Sequence, residues 1–97
     1  MGRRSRVGSP SQPEYDLRLH REAARAYRRL HGALLERISA AIDALASDPR
    51  PAGAEKLVGR GDYRIRVGEY RVVYAIDDAA RVVTIARIAH RREVYRR

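Results

Sequence analysis

The stretch Tyr63–Tyr74 constrains the fold more than any other part of the chain. It reads Tyr-Arg-Ile-Arg-Val-Gly-Glu-Tyr-Arg-Val-Val-Tyr, two runs of β-branched, aromatic and charged residues about Gly68-Glu69. A two-residue loop with glycine first fits a type II′ hairpin turn, with Glu69 as a turn residue. The turn sets the register: Val67 faces Tyr70, Arg66 faces Arg71, Ile65 faces Val72, Arg64 faces Val73, and Tyr63 faces Tyr74. Side chains alternate along a strand, so Ile65, Val67, Tyr70, Val72 and Tyr74 share one face. Arg64, Arg66 and Arg71 share the other. A solvated outer face is the plainer account of arginines on a half-exposed sheet. Against it, two like charges directly opposite one another destabilise a sheet, and neither run holds an acidic residue to offset them. The pattern suits an anion-binding face.

The rest of the chain supplies what must cover the other face. Met1–Pro13 is Gly, Ser, Pro and Arg with almost nothing to bury and reads as a disordered basic segment, followed by one domain over 14–97. Glu14–His20 alternates, with Tyr15, Leu17 and Leu19 on one side, and reads as a first strand. Ala23, Ala24, Tyr27 and Leu30 then fall at helical spacing over Arg21–Leu30. His31-Gly32 interrupts, and Leu34, Leu35, Ile38, Ala41, Ile42 and Leu45 form a second apolar stripe. Asp48-Pro49 ends it, since proline disfavours helical geometry in the residue before it. Pro49–Asp62 reads as a loop in which Leu57 plugs the core edge while Lys56 and Arg60 stay exposed. Asp77–Ala80 turns the chain into a last strand, Arg81–Ile88. The expected architecture is α+β: an N-terminal strand, a two-helix antiparallel hairpin, then a three-stranded antiparallel meander. The helices pack on one face of the sheet, and their outer arginines (Arg25, Arg28, Arg29, Arg37) sit in solvent.

Charge narrows the partners. The formal net charge is +9, and Lys56 is the only lysine among the 21 basic residues. Such a surface favours polyanions, nucleic acid first. The absence of cysteine excludes disulfides and thiolate metal sites and fits the cytoplasm. No apolar run approaches the ~20 residues that cross a bilayer, so no membrane role is expected. His20 and His31 lack a second ligand at metal spacing, and no metal or other cofactor is expected.

Several segments together resemble the RelE toxins of the RelE/ParE superfamily of type II toxin–antitoxin systems. They are Asp48-Pro49-Arg50-Pro51, Lys56-Leu57 before a glycine, the Tyr63–Tyr74 hairpin, and His90-Arg91-Arg92-Glu93-Val94-Tyr95. The resemblance runs from about Tyr15 to Tyr95. It implies a RelE-like fold and a metal-independent mRNA endoribonuclease acting in the ribosomal A site. It also implies restraint by a RelB-like, acidic, partly disordered antitoxin, with operator DNA bound only through the toxin–antitoxin complex. The catalytic set it implies is Arg64, Arg66, Arg71, Arg91 and Tyr95. Lys56, Arg60, His90 and Arg92 would contact substrate. The archetype often has lysines at the positions of Arg64 and Arg66, and a longer segment before the closing tyrosine.

The chemistry is coherent with these residue types. Arginines hold phosphate oxygens bidentately and stay charged, which suits a phosphorane-like transition state. They are poor bases, so the proton must go elsewhere. Tyr95, with a reference pKa of ~10 that neighbouring cations would lower, and His90, starting near ~6.5, are the candidates. Two other classes share the fold: a ParE-like toxin that inhibits DNA gyrase, and a catalytically inactive module whose basic face binds only antitoxin or operator.

Overall fold

The computed structural model describes residues 14–59 and 61–92. The N-terminal segment read as disordered, Arg60, and the closing Val94 and Tyr95 lie outside the described residues.

The N-terminal alternation folds as β1 (Asp16–Leu19), and the change of period as α1 (Arg21–Arg28). His20 starts that helix. Its Nδ1 accepts the backbone N–H of Glu22 at 3.3 Å, satisfying one of the otherwise orphaned N–H groups of the first turn. The helix is shorter than its apolar spacing suggests. Arg29 and Leu30 donate to the carbonyls of Ala26 and Tyr27 at 3.0 and 3.1 Å, a tighter last turn that ends it. Gly32, at φ +65°, makes the corner into α2 (Gly32–Ala44). A hydrogen bond between the Tyr27 hydroxyl and Ser39 Oγ ties the two helices together.

The sheet contains β2 (Glu55–Lys56), β3 (Asp62–Val67), β4 (Tyr70–Asp77) and β5 (Val82–His90) in addition to β1. Its order is β1-β5-β4-β3-β2, with β1 parallel to β5 and every other pairing antiparallel. The central hairpin has the register its turn dictates, Val67 opposite Tyr70 through Tyr63 opposite Tyr74, and Gly68 has φ +60°. A side chain at Gly68 would also meet the Arg37 guanidinium, with Cβ only 3.1 Å from Nη2. Ala23 of α1, Ile38 and Ile42 of α2, and Leu45 just beyond it bury themselves against Ile65, Val67, Val72, Tyr74, Val83, Ile85 and Ile88 of the sheet. The helices therefore cover the face opposite the arginines, as the alternation requires. Among the described residues no helix is long and apolar enough to cross a membrane.

Two features depart from the sequence pattern. The segment read wholly as loop, Pro49–Asp62, contains β2, which places Glu55 opposite Arg64 and Lys56 opposite Tyr63. A two-residue strand is too short to show alternation, so only its pairing reveals it. The second departure is a β-bulge in the last strand. Val73 faces Arg87 but Tyr74 faces Ile85, leaving Ala86 unmatched. The extra residue switches the parity of everything after it. Val83 and Ile85 point to the helices, and beyond the bulge Ile88 does so as well.

The long segment after α2 is pinned at its start. The buried Tyr74 hydroxyl donates to the Pro49 carbonyl at 2.8 Å, and burial pushes its pKa up to about 12. Tyr63 stacks on Tyr74 with centroids 5.9 Å apart, and the Arg50 guanidinium lies 5.4 Å from the Tyr63 ring centroid. Arg50 pairs with Asp78 at 2.9 Å and donates through Nε to the Tyr63 hydroxyl at 3.1 Å. Tyr15 completes this corner, donating its hydroxyl to Asp78 Oδ1 at 2.6 Å.

Candidate functional site

The open face of the sheet gathers the arginines. Residues directly opposite one another in a sheet project to the same side. One row therefore holds Arg66, Arg71 and Ala89, and the next holds Glu55, Arg64, Val73 and Arg87. Arg64, Arg66 and Arg71, which the hairpin register alone groups on one face, lie together here.

Their environments differ. Arg66 is exposed. Arg64 is ion-paired: its Nη2 bonds Glu55 Oε1 and its Nε donates to the same oxygen at 3.2 Å. Arg71 is 6% exposed, and its buried Nε has no hydrogen-bond partner among the described residues. A guanidinium is rarely left so, because a buried donor without an acceptor carries its full desolvation cost. An anion on this face would remove that cost.

Glu55 is the residue that the hairpin pattern does not reveal. Its carboxyl is held below the ordinary range, first by the hydrogen bond from Arg64, then by the charges of Arg64, Arg66 and Arg71. One carboxylate on this face thus feels the charge of all three arginines. A hollow of about 280 Å³ opens beside it, lined by Ala52, Gly53, Glu55, Arg64, Ile65 and Arg66. The only signal available in the sequence is the acidic residue next to Lys56. It becomes meaningful once β2 pairs with β3.

Arg91 approaches from the end of β5. Its backbone N–H donates to the Glu69 carbonyl at 2.7 Å, and its Nε meets Glu69 Oε1 at 3.1 Å. Glu69 therefore does more than make the turn: both its backbone and its side chain hold Arg91 at the hairpin tip. His90 lies opposite Tyr70, on the helix side of the register, with the two rings edge to face at 5.4 Å. Its Nδ1 accepts the Arg92 backbone N–H at 3.2 Å. Lys56, opposite Tyr63, projects to the side away from the arginines. Arg60 and Tyr95 lie outside the described residues. Among the described residues no three His, Asp or Glu side chains cluster closely enough to hold a metal ion.

Arg87 is not among the residues expected here. By simple alternation it would follow Val83 and Ile85 toward the helices; the bulge at Ala86 turns it to the arginine face instead.

The family model for the ParE toxin of type II toxin–antitoxin systems matches residues 17–95. No curated protein matches the chain. Among solved structures, the chain is similar to one in the archaeal RelE–RelB complex from Pyrococcus horikoshii OT3. The two share 30% identity at a TM-score of 0.72, covering 80% of this chain and 96% of that one. It is also similar to a chain of the intact E. coli RelBE toxin–antitoxin complex, at 25% identity and a TM-score of 0.70, covering 78% and 95%. The YoeB/ParE toxin from Agrobacterium tumefaciens shares the fold, with 20% identity, a TM-score of 0.68 and coverage of 77% and 96%.

Proposed function

Given that the chain belongs to the ParE toxin family of type II toxin–antitoxin systems, we propose that it is an endoribonuclease that cuts messenger RNA on the ribosome. The observation that carries this reading is Arg71: a nearly buried guanidinium with an unpartnered Nε, beside Arg66 and a short reach from Arg64. A toxin acting only by docking to a protein has no need of such a group. A phosphate-cleaving one does, because fixed cations in a partly desolvated site stabilise charge that develops in the transition state.

In the reaction the 2′-hydroxyl oxygen bonds to the adjacent phosphorus as the bond from phosphorus to the 5′-oxygen breaks. The products are a 2′,3′-cyclic phosphate and a 5′-hydroxyl. Arg71 and Arg66 neutralise the equatorial oxygens, and Arg64 joins them by exchanging Glu55 for phosphate. Arg91, held by Glu69, stabilises the leaving oxygen, which takes its proton from solvent water. Two groups can take the 2′ proton: Tyr95, on the resemblance, and Glu55, on its place beside the three arginines. Glu55 is ionised at neutral pH and, being paired, only weakly basic, so a tyrosinate is the better acceptor. With no strong base in place, positioning by the ribosome supplies the acceleration that the side chains lack. Arg60 and Arg92 add phosphate contacts at the margins, whereas Lys56, turned to the other side of the sheet, takes no part. The RelB complexes of the similar toxins support an antitoxin as partner; an acidic one would bind over the basic surface. The work is that of a cytoplasmic protein.

Primer extension on a translated message, with and without ribosomes, tests the reading. Cuts at a fixed position in the A-site codon, present only with ribosomes, are the expected result. No cleavage in either case, together with loss of DNA supercoiling by gyrase, would favour the second reading, a gyrase-inhibiting toxin, which the match to the ParE model supports.

A further inference from the structure

We infer that the arginine face continues over the edge of β5 into a groove that holds the backbone of the same message strand, beyond the scissile phosphate. β1 ends at Leu19 opposite Ile85, so the outer edge of β5 past that point lies beside α1 rather than another strand. The groove there is lined by Arg25 of α1 and Arg29 at its C-cap, with Glu22 and Ala26, and by Arg87, Ile88 and Ala89 of β5. Arg25 and Arg29 are four residues apart and share one side of the helix. All three arginines are exposed, and none has an ion-pair partner among the described residues. Glu22 is the single carboxylate against three guanidiniums.

Arg87 joins this groove to the candidate site. It stands in the same row as Arg64, two strands away, which separates their backbones by ~10 Å, with Val73 between. Arg64 must first release Glu55 to join the scissile phosphate, whereas Arg87 is open from the start, so a polyanion seated on Arg71, Arg66 and Arg64 finds its next cation along the row at Arg87. From there Arg29 and Arg25 lead along α1. An RNA strand carries a charge at each nucleotide and fits a row of this kind. An acidic peptide fits the charge as well, but not the continuity with the site of cleavage.

The inference rests on the ribonuclease reading, and the test separates the two. Wild-type protein and the variants Arg87→Gln, Arg25→Gln/Arg29→Gln and Arg71→Gln are titrated with 2′-O-methyl RNAs, which cannot supply the attacking hydroxyl. The probes are about 3 and about 9 nucleotides long, over a salt series, and the salt slope should fall by about 0.7 for each phosphate that a variant no longer neutralises. In Arg87→Gln and in the double variant, the advantage of the longer RNA over the shorter should shrink by about fivefold or more, with the shallower slope. An unchanged advantage and slope in both, with Arg71→Gln impaired, overturns the groove and leaves the ribonuclease reading standing. Full binding and full ribosome-dependent cleavage by Arg71→Gln removes both. Normal RNA binding with weakened antitoxin binding in the groove variants assigns the groove to the antitoxin and overturns the inference.

Discussion

Two arginines, Arg50 and Arg71, sit in opposite electrostatic circumstances. Arg50 is exposed yet fully engaged, with Asp78, the Tyr63 hydroxyl and the Tyr63 ring all around it. Arg71 is nearly buried, and its Nε is unpartnered. Stability alone would arrange these the other way round. A buried cation costs more than an exposed one and has more need of compensation. Arg50 belongs to a corner that fastens the segment after α2 to the sheet. Arg71 is held ready for a charge that the protein itself does not provide. Arg64, paired to Glu55, lies between the two cases.

The contrast can be broken most directly at Arg71. Arg71→Ala should lower ribosome-dependent cleavage by about 100-fold or more, with a melting temperature no lower than wild type. Primer extension and thermal melting read the two effects separately. A folded variant that still arrests growth would sink the assignment. Tyr74→Phe is the counterpart on the structural side. It leaves the Pro49 carbonyl without its donor and should cost about 1–3 kcal/mol in denaturant unfolding, with cleavage per folded molecule retained.

Glu55→Gln sharpens the comparison, since it converts Arg64 from the compensated to the uncompensated state. RNA affinity should rise several-fold at low salt, with little change in the cleavage step. A fall in cleavage rate without weaker binding would instead make Glu55 the proton acceptor. Asp78→Asn should have the smallest effect, a slight drop in melting temperature, because exposed ion pairs contribute little. Its signature is in the pH dependence. Arg50, and then the Tyr15 hydroxyl, hold the Asp78 carboxyl below its ordinary value, as Arg64 does for Glu55. A carboxyl lowered in the folded state stabilises the protein above its unfolded pKa of ~4, and that stabilisation fades as pH falls through the folded value. Melting curves at neutral pH and near pH ~3 should therefore differ less in Asp78→Asn than in wild type.

What the sequence determined is local, or repeats at short range. The turn at Gly68-Glu69, the five facing pairs of the hairpin, the helical stripes and the proline after Asp48 follow from steric limits on a few adjacent residues. They placed Arg64, Arg66 and Arg71 on one face without any knowledge of the rest. The tertiary structure decided what depends on distant partners. β1 pairs with β5 across most of the chain, and β2 is too short to be seen without β3 beside it. Glu55 became the counter-ion of Arg64 only through that pairing. Arg87 reached the arginine face only because one unmatched residue, Ala86, reversed the alternation of β5. Charge type is written in the residue, but whether a charge is compensated depends on what the fold brings against it.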